Sequence, residues 1–307
     1  MEGVVLAVQD ASVSVELARL IPWTVPKIAL LAWLSGLKMV KRNGISYSLF
    51  LAGLAAATLA PPIVHALPEA QVSEKLDTIL MLMAVDDKGA PAAVKATIDK
   101  KPADAYLAAI SIAAAEEITA GKRYGLKPQV AKALRFAPVS LARFNQLLAP
   151  LLQANPKRLG VIAPDPAQTS VVEKLLIAQK VPAKQAAQIA QLQPMIFCPE
   201  PGLLVSSNEG PDKGKQFVPC ATEAEFVQGI VQRAIKESPQ IAATKPGVVA
   251  IPLNSFITFL RNEPEVKAGQ LRVVPSGRMV NLIQQISKQQ QSAGTVPAPA
   301  ATPPASR

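Results

Sequence analysis

The chain states one pattern twice, and that constrains its fold more than any other feature. Residues 128–141 read PQVAKALRFAPVSL, and residues 239–254 read PQIAATKPGVVAIPLN. Both run Pro-Gln-aliphatic-Ala, then an apolar stretch closing on Pro138 or Pro252, an aliphatic residue, and a helix-capping Ser140 or Asn254. A second pair follows, GVIAPD at 160–165 and RVVPSG at 272–277. Two landmarks recurring at one offset of roughly a hundred residues predict an internal duplication into two domain-sized units, not a short-period solenoid. Such a body is pseudo-symmetric, with a seam between its halves where ligands bind.

The N-terminal region reads as an export signal from Met39 onward. A short basic segment at 39–44 precedes the apolar run 49–60, and Val64-His65-Ala66 places small or aliphatic residues before a cleavage bond. The run is too short for a membrane span, so cleavage after Ala66 is expected, leaving Leu67 first. No twin arginine precedes the run and no cysteine follows the cut, which favours the general secretory route without a lipid anchor. Residues 1–38 hold both tryptophans, Trp23 and Trp33, and read as upstream translation or as a bipartite targeting segment.

Charge and histidine content exclude more than any motif supports. The chain carries 32 Lys and Arg against 22 Asp and Glu, a net charge of +10. These cations are spread along the chain and aromatics are few, unlike the grouped, aromatic-interleaved basic residues of nucleic-acid binders. A solvated basic surface is expected, with no nucleic-acid partner and at most peripheral membrane contact. The one histidine, His65, leaves with the signal segment. Residues 67–307 therefore hold no imidazole base, Ser-His triad or imidazole metal ligand, so no enzyme, metal or cofactor is expected.

Hydrophobic periodicity predicts α/β layering: two pseudo-symmetric halves, each a mixed sheet flanked by helices. The first half should run from 67 to 180 and the second from 181 to 291, with a Pro/Ala-rich disordered tail at 292–307. Strands are predicted at 78–85, 92–98, 104–110, 134–139 and 159–163. Ser111, Ser140 and Asp165 cap the intervening helices, and a further helix covers 182–192. The second half repeats this order. It has strands at 195–198, 203–206, 216–218, 247–251 and 271–274 and a turn at 199–202. Its helices are 221–236, with an apolar face of Phe226, Ile230 and Ile235, and two more capped by Asn254 and Ser276.

Few residues offer chemistry. Cys198 and Cys220 form either one disulfide, contributing on the order of 3 kcal/mol, or two separate buried thiols. Asp86-Asp87 lacks the ligand alternation of a calcium loop and reads as a turn. Glu116 and Glu117 diverge around a helix and cannot face each other as a carboxylate pair. The 210–215 segment, GPDKGK, departs from a phosphate loop in spacing and in lacking Ser or Thr. Apolar strands at 78–85 and 203–205 line either a core or a groove. The groove candidates are Leu82, Phe144, Leu203, Leu204, Phe226 and Phe256, with Leu204→Asp expected to weaken binding without unfolding the chain.

These strings together resemble a known family. Leu67-Pro68-Glu69 with Lys75-Leu76, the hairpin 84–89 followed by Ala90-Pro91, RFAPVSL at 135–141, FCPEPGLL at 197–204 and the segment 240–253 follow its order over about 68–285. The family is the small soluble, twenty-two-kilodalton subunit of the translocon at the inner chloroplast envelope, with its cyanobacterial relatives. The first-half loop departs from the pattern in being rich in Lys and Ala, and aromatics are scarce. The resemblance implies a two-winged soluble body with hydrophobic pockets and no catalytic residues. It implies the periplasm, with the thylakoid lumen or plastid intermembrane space as alternatives. It also implies a chaperone-like role in protein translocation and outer-membrane biogenesis. Partners would be unfolded precursors and outer-membrane barrel assembly or translocon proteins. A different class of reading is a small hydrophobic ligand held at the seam.

Overall fold

The computed structural model of the chain describes residues 20–21, 66–98, 100–207, 213–263 and 269–293. A two-residue strand β1 (Leu20–Ile21) is followed by helix α1 (Glu69–Asp77) and strands β2 (Leu80–Val85), β3 (Ala93–Ile98) and β4 (Lys101–Ala109). Helices α2 (Ile112–Thr119) and α3 (Pro128–Ala133), strand β5 (Arg135–Ser140), helix α4 (Leu141–Ala154) and strand β6 (Leu159–Ala163) come next. Helices α5 (Thr169–Ala178) and α6 (Ala183–Leu192) lead to β7 (Met195–Glu200), β8 (Gly202–Leu203), β9 (Val205–Ser206) and β10 (Gln216–Cys220). The chain continues through α7 (Ala224–Glu237), β11 (Gly247–Pro252), α8 (Leu253–Asn262), β12 (Leu271–Val273) and α9 (Gly277–Ala293).

The strands make a mixed α/β architecture in which one set of ladders recurs. Strand β2 runs antiparallel to β5, from Leu80 opposite Ser140 to Val85 opposite Arg135. Strand β7 runs antiparallel to β11, from Met195 opposite Pro252 to Glu200 opposite Gly247. Strand β4 pairs parallel with β6 and antiparallel with β2 and β3. Strand β10 pairs parallel with β12 and antiparallel with β9, and meets β7 through the antiparallel bridge of Phe197 and Ala221. A parallel pair requires a crossover, and α4 and α8 supply part of it in each sheet.

The central strands β2 and β7 are buried on both faces, which is why they read as continuous apolar runs. On β2, Met81, Met83 and Val85 enter a central core, while Leu82 and Ala84 enter an outer one. On β7, Ile196 and Cys198 join the same central core, and Met195 and Phe197 point to the other side. The two sheets thus share one interior. Its margins are closed by Val72 and Leu76 of α1, Phe144 and Leu148 of α4, and Phe256 and Leu260 of α8. Helix α1 is tied across the molecule: Lys75 Nζ donates to the Gly269 and Leu271 carbonyls at 2.8 and 2.7 Å. Arg261 also pairs with Glu69 at 2.8 Å.

The outer faces are covered partly by their own helices, α2 and α3 on the first sheet and α7 on the second, and partly by exchange. Helices α5 and α6 follow the first sheet in sequence, yet Val172, Leu176, Ala186 and Ala190 pack against Met195 and Phe197 of the second. Helix α9 follows the second sheet in sequence, yet Met279, Leu282 and Ile283 pack with Leu82, Ala84 and Leu107 of the first. A boundary at residue 180 therefore divides the sequence without dividing the packing.

Local chemistry placed most elements, and tertiary pairing moved several. Ser111, Ser140 and Ser276 cap as expected, accepting from the amides of Ala114, Arg143 and Met279. Asp165 accepts from Ala167 N and starts a short 3-10 turn, Pro166–Gln168, before α5. The turn expected at 199–202 is shifted because Pro199 and Glu200 pair with Val248 and Gly247 inside β7. The expected strand 203–206 is split into β8 and β9 at Leu204, which joins the central core. Asn254 caps nothing: α8 begins at Leu253, and Pro252 holds the cap position. Pro138 instead lies within β5 opposite Leu82, so it is Ser140, not Pro138, that shares its place with Pro252. The helix expected from 221 begins at Ala224 because Ala221 is held by Phe197. Its buried face is Ala224, Val227, Ile230, Val231 and Ala234, with Phe226 and Ile235 only partly buried. Helix α9 takes in Ser292 and Ala293, while 294–307 and the region 1–65, apart from Leu20 and Ile21, lie outside the described residues.

Candidate functional site

The six apolar groove candidates are not brought to one surface. Phe144, Leu204 and Phe256 meet in the central core at 3%, 6% and 1% exposure. Leu82 lies in the first sheet's outer core and Leu203 in a satellite core with Val205, Phe217 and Ile230. Phe226 is half-buried between that satellite and the second sheet's outer core. Strand alternation explains the scatter: Leu82 and Met83, or Leu203 and Leu204, are sequence neighbours that enter different interiors. Leu204→Asp would place a carboxylate in the central core, so it reports on folding rather than on binding.

What the surface offers is sparser. Val130, Leu159, Ile177 and Leu192 are large apolar side chains left 37%, 41%, 44% and 53% exposed, on α3, β6, α5 and α6. Nothing in the sequence separates them from buried neighbours of the same type, since each sits within an apolar-rich element whose stripe is only partly used.

A cleft does form where the two sheets meet. Ile110, Asp165 and Gln168 line it from the first-half chain and Gln193, Phe197 and Thr222 from beyond, enclosing about 230 Å³ open to solvent. Gln168 is its fixed point. The Gln168 Oε1 accepts from the Ala224 amide at 3.2 Å, and its Nε2 donates to Glu225 Oε2 at 2.9 Å. It thereby supplies the cap that α7 lacks from its own residues. That figure includes open solvent; the cavity volume proper is about 10 Å³, room for about one water and far below the range of about 300–1,000 Å³ for small-molecule sites.

The remaining reactive groups have structural partners. Cys198 and Cys220 are bonded, with Cα atoms 4.3 Å apart. Asp86 Oδ1 accepts from the amides of Lys88 and Ala90, closing the β2–β3 turn. Glu117 pairs with Arg123. Burial raises the Tyr124 phenol above its ordinary value, with neighbouring Arg123 opposing the shift by charge and by hydrogen bond. Among the described residues no three His, Cys, Asp or Glu gather as metal ligands. No helix among them is long and apolar enough to cross a membrane.

Solved structures share this fold. Anabaena Tic22, described as a protein-transport protein, superposes with a TM-score of 0.53 at 18% identity, covering 71% of this chain and 97% of its own. Tic22 from Plasmodium falciparum gives a TM-score of 0.50 at 13% identity, with 71% of this chain and 98% of its own covered. The likeness is one of fold, and it bears out the resemblance carried by the sequence. No protein-family model and no curated protein matches the chain.

Proposed function

We propose that this chain is a non-enzymatic protein-transport factor that holds apolar segments of unfolded precursors, outer-membrane barrel proteins among them. The Tic22 fold carries the reading. Two observations support it. Large apolar side chains stay exposed on several elements, and binding them would remove apolar area from water at about 25 cal/mol per Å². The seam cleft is small for the rival reading, a small hydrophobic ligand. The recurring ladders support descent of the two sheets from one duplicated unit.

The proposed setting is the periplasm, or else the thylakoid lumen or plastid intermembrane space, reached after cleavage at Ala66. Ala66 is exposed while Leu67 is 5% exposed and packed in the central core, so the proposed cut falls where the packed body begins. N-terminal sequencing of the exported protein should begin at Leu67; a start at Met1 would refute export by this signal.

The function is tested by diluting a urea-unfolded outer-membrane barrel protein into the chain and following light scattering. Dose-dependent suppression near equal stoichiometry is expected, and replacing Leu159, Ile177 and Leu192 together by Ser should weaken it without changing the circular dichroism. A folded chain that leaves aggregation untouched would move the assignment to a ligand of the seam, sought by mass spectrometry of the purified protein.

A further inference from the structure

Strand β6 is an edge without the usual protection. Its sequence, LGVIA, holds no charge and no proline. Among the described residues it pairs with β4 alone. Other edge strands are guarded: β3 carries Lys95, β5 carries Arg135 and Pro138, β11 ends in Pro252, β12 carries Arg272, and β8 and β9 are only 2 residues each. Natural sheets place such residues at edges because open N–H and C=O groups are a template for another strand. The Ile110 amide donates to the Ala163 carbonyl at 3.1 Å, so Ala163 turns its backbone toward β4. Alternation then directs the N–H and C=O of Gly160 and Ile162 to the open side. Leu159 and Gly160 are both exposed.

A second feature stands at the head of this strand. Arg158 Nη1 donates to the Tyr106 hydroxyl at 2.7 Å, and the guanidinium carbon lies 5.6 Å from the Tyr106 ring centre. Its Nε is buried with no acceptor, and among the described residues no carboxylate pairs with it. A guanidinium positioned on an aromatic ring, with donors to spare, is suited to a carboxylate. Exposed Lys157 precedes it, and Asp165 lies past the far end of the strand. The edge therefore runs from a positive end to a negative one.

We propose that the β6 edge and Arg158 together bind the C-terminal strand of an unfolded client. The strand pairs antiparallel along Gly160 and Ile162, which brings its free carboxylate to Arg158 and Lys157. This rests on the transport reading for the kind of client, and adds which part of the client is held. Backbone pairing supplies affinity for any extended apolar end, and the arginine selects a true terminus over an internal segment. The chain's own segment 294–307 is a poor occupant, because Pro297, Pro299, Pro303 and Pro304 lack the amides a ladder needs.

The test uses the full chain and an N-terminally labelled decapeptide of alternating leucine and serine, followed by fluorescence anisotropy. The free acid should bind, and its C-terminal amide about tenfold more weakly. With Arg158→Gln the acid and amide should bind alike, at unchanged circular dichroism and urea midpoint. Methylating the peptide amides that face β6 should abolish binding. Equal affinity of acid and amide for the unaltered chain overturns the proposal, even if the arginine variant fails to fold. So does undiminished binding of the methylated peptide, or no binding of any peptide. A symmetric dimer that sedimentation detects and Ile162→Pro breaks would assign the edge to a second copy instead. Aggregation suppression without acid-over-amide preference would remove this site alone. The preference without suppression would remove the transport reading and leave a terminus-binding site.

Discussion

Cys198 and Cys220 sit on neighbouring strands that, among the described residues, are otherwise joined only through the Phe197–Ala221 bridge. The bond thus reinforces the second sheet where its ladder is thinnest. Closing a loop across a separation of 22 residues should stabilise the fold by about 3 kcal/mol. The double variant Cys198→Ala/Cys220→Ala, and the unaltered chain under reductant, should both show a lower urea midpoint and an unfolding free energy reduced by about that amount; unchanged midpoints would mean the bond is dispensable. Tyr124 gives a second test. Its folded-state pKa lies above the ordinary 10.0, so the folded form keeps a proton that the unfolded chain has released. Its contribution is fully present below the unfolded pKa and is lost as pH rises through the folded one. Stability should fall above about pH 10, and Tyr124→Phe should flatten that fall in urea titrations.

At the level of elements, Gln168 joins what the chain keeps far apart. It caps α7 from a turn after the first sheet, in a largely buried setting. Gln168→Ala should cost about 1–2 kcal/mol, because it strands the Ala224 amide and takes from the Glu225 carboxylate its donor. A thermal melt shifted by less than a degree would show that solvent replaces it. This contact also marks the limit of sequence reading. Ser111, Ser140 and Ser276 were legible as caps because a side chain bonding an amide nearby in sequence is local chemistry. Gln168 was illegible as a cap because its acceptor role depends on a helix that begins at Ala224. Asn254 misled for the same reason: a good capping residue was placed inside α8 by the pairing of Pro252 with Met195. The groove candidates show a different limit, since apolar type predicts burial without saying which interior receives the side chain.

On the scale of the whole molecule, similar ladder types recur in the two sheets, which share one core instead of forming separable bodies. The apolar stripes of α5 and α9 would suit either sheet, so their exchange left no sequence signal. It has a measurable consequence. A chain ending at residue 276 lacks α9 and should expose the face formed by Leu82, Ala84 and Leu107. It should bind a hydrophobic dye and unfold at lower urea, whereas the full chain should unfold in a single transition by fluorescence and circular dichroism. Two transitions in the full chain would show the halves to be independent. The same exchange sets an order in time. When the chain emerges N-terminus first, the first sheet has all its strands and the partial cover of α2 and α3 once Ala163 has appeared, yet α9, which completes that cover, is the last of the described elements to arrive. The earliest part is thus finished latest, and a chain interrupted before Gly277 leaves open the share of that face that α9 takes.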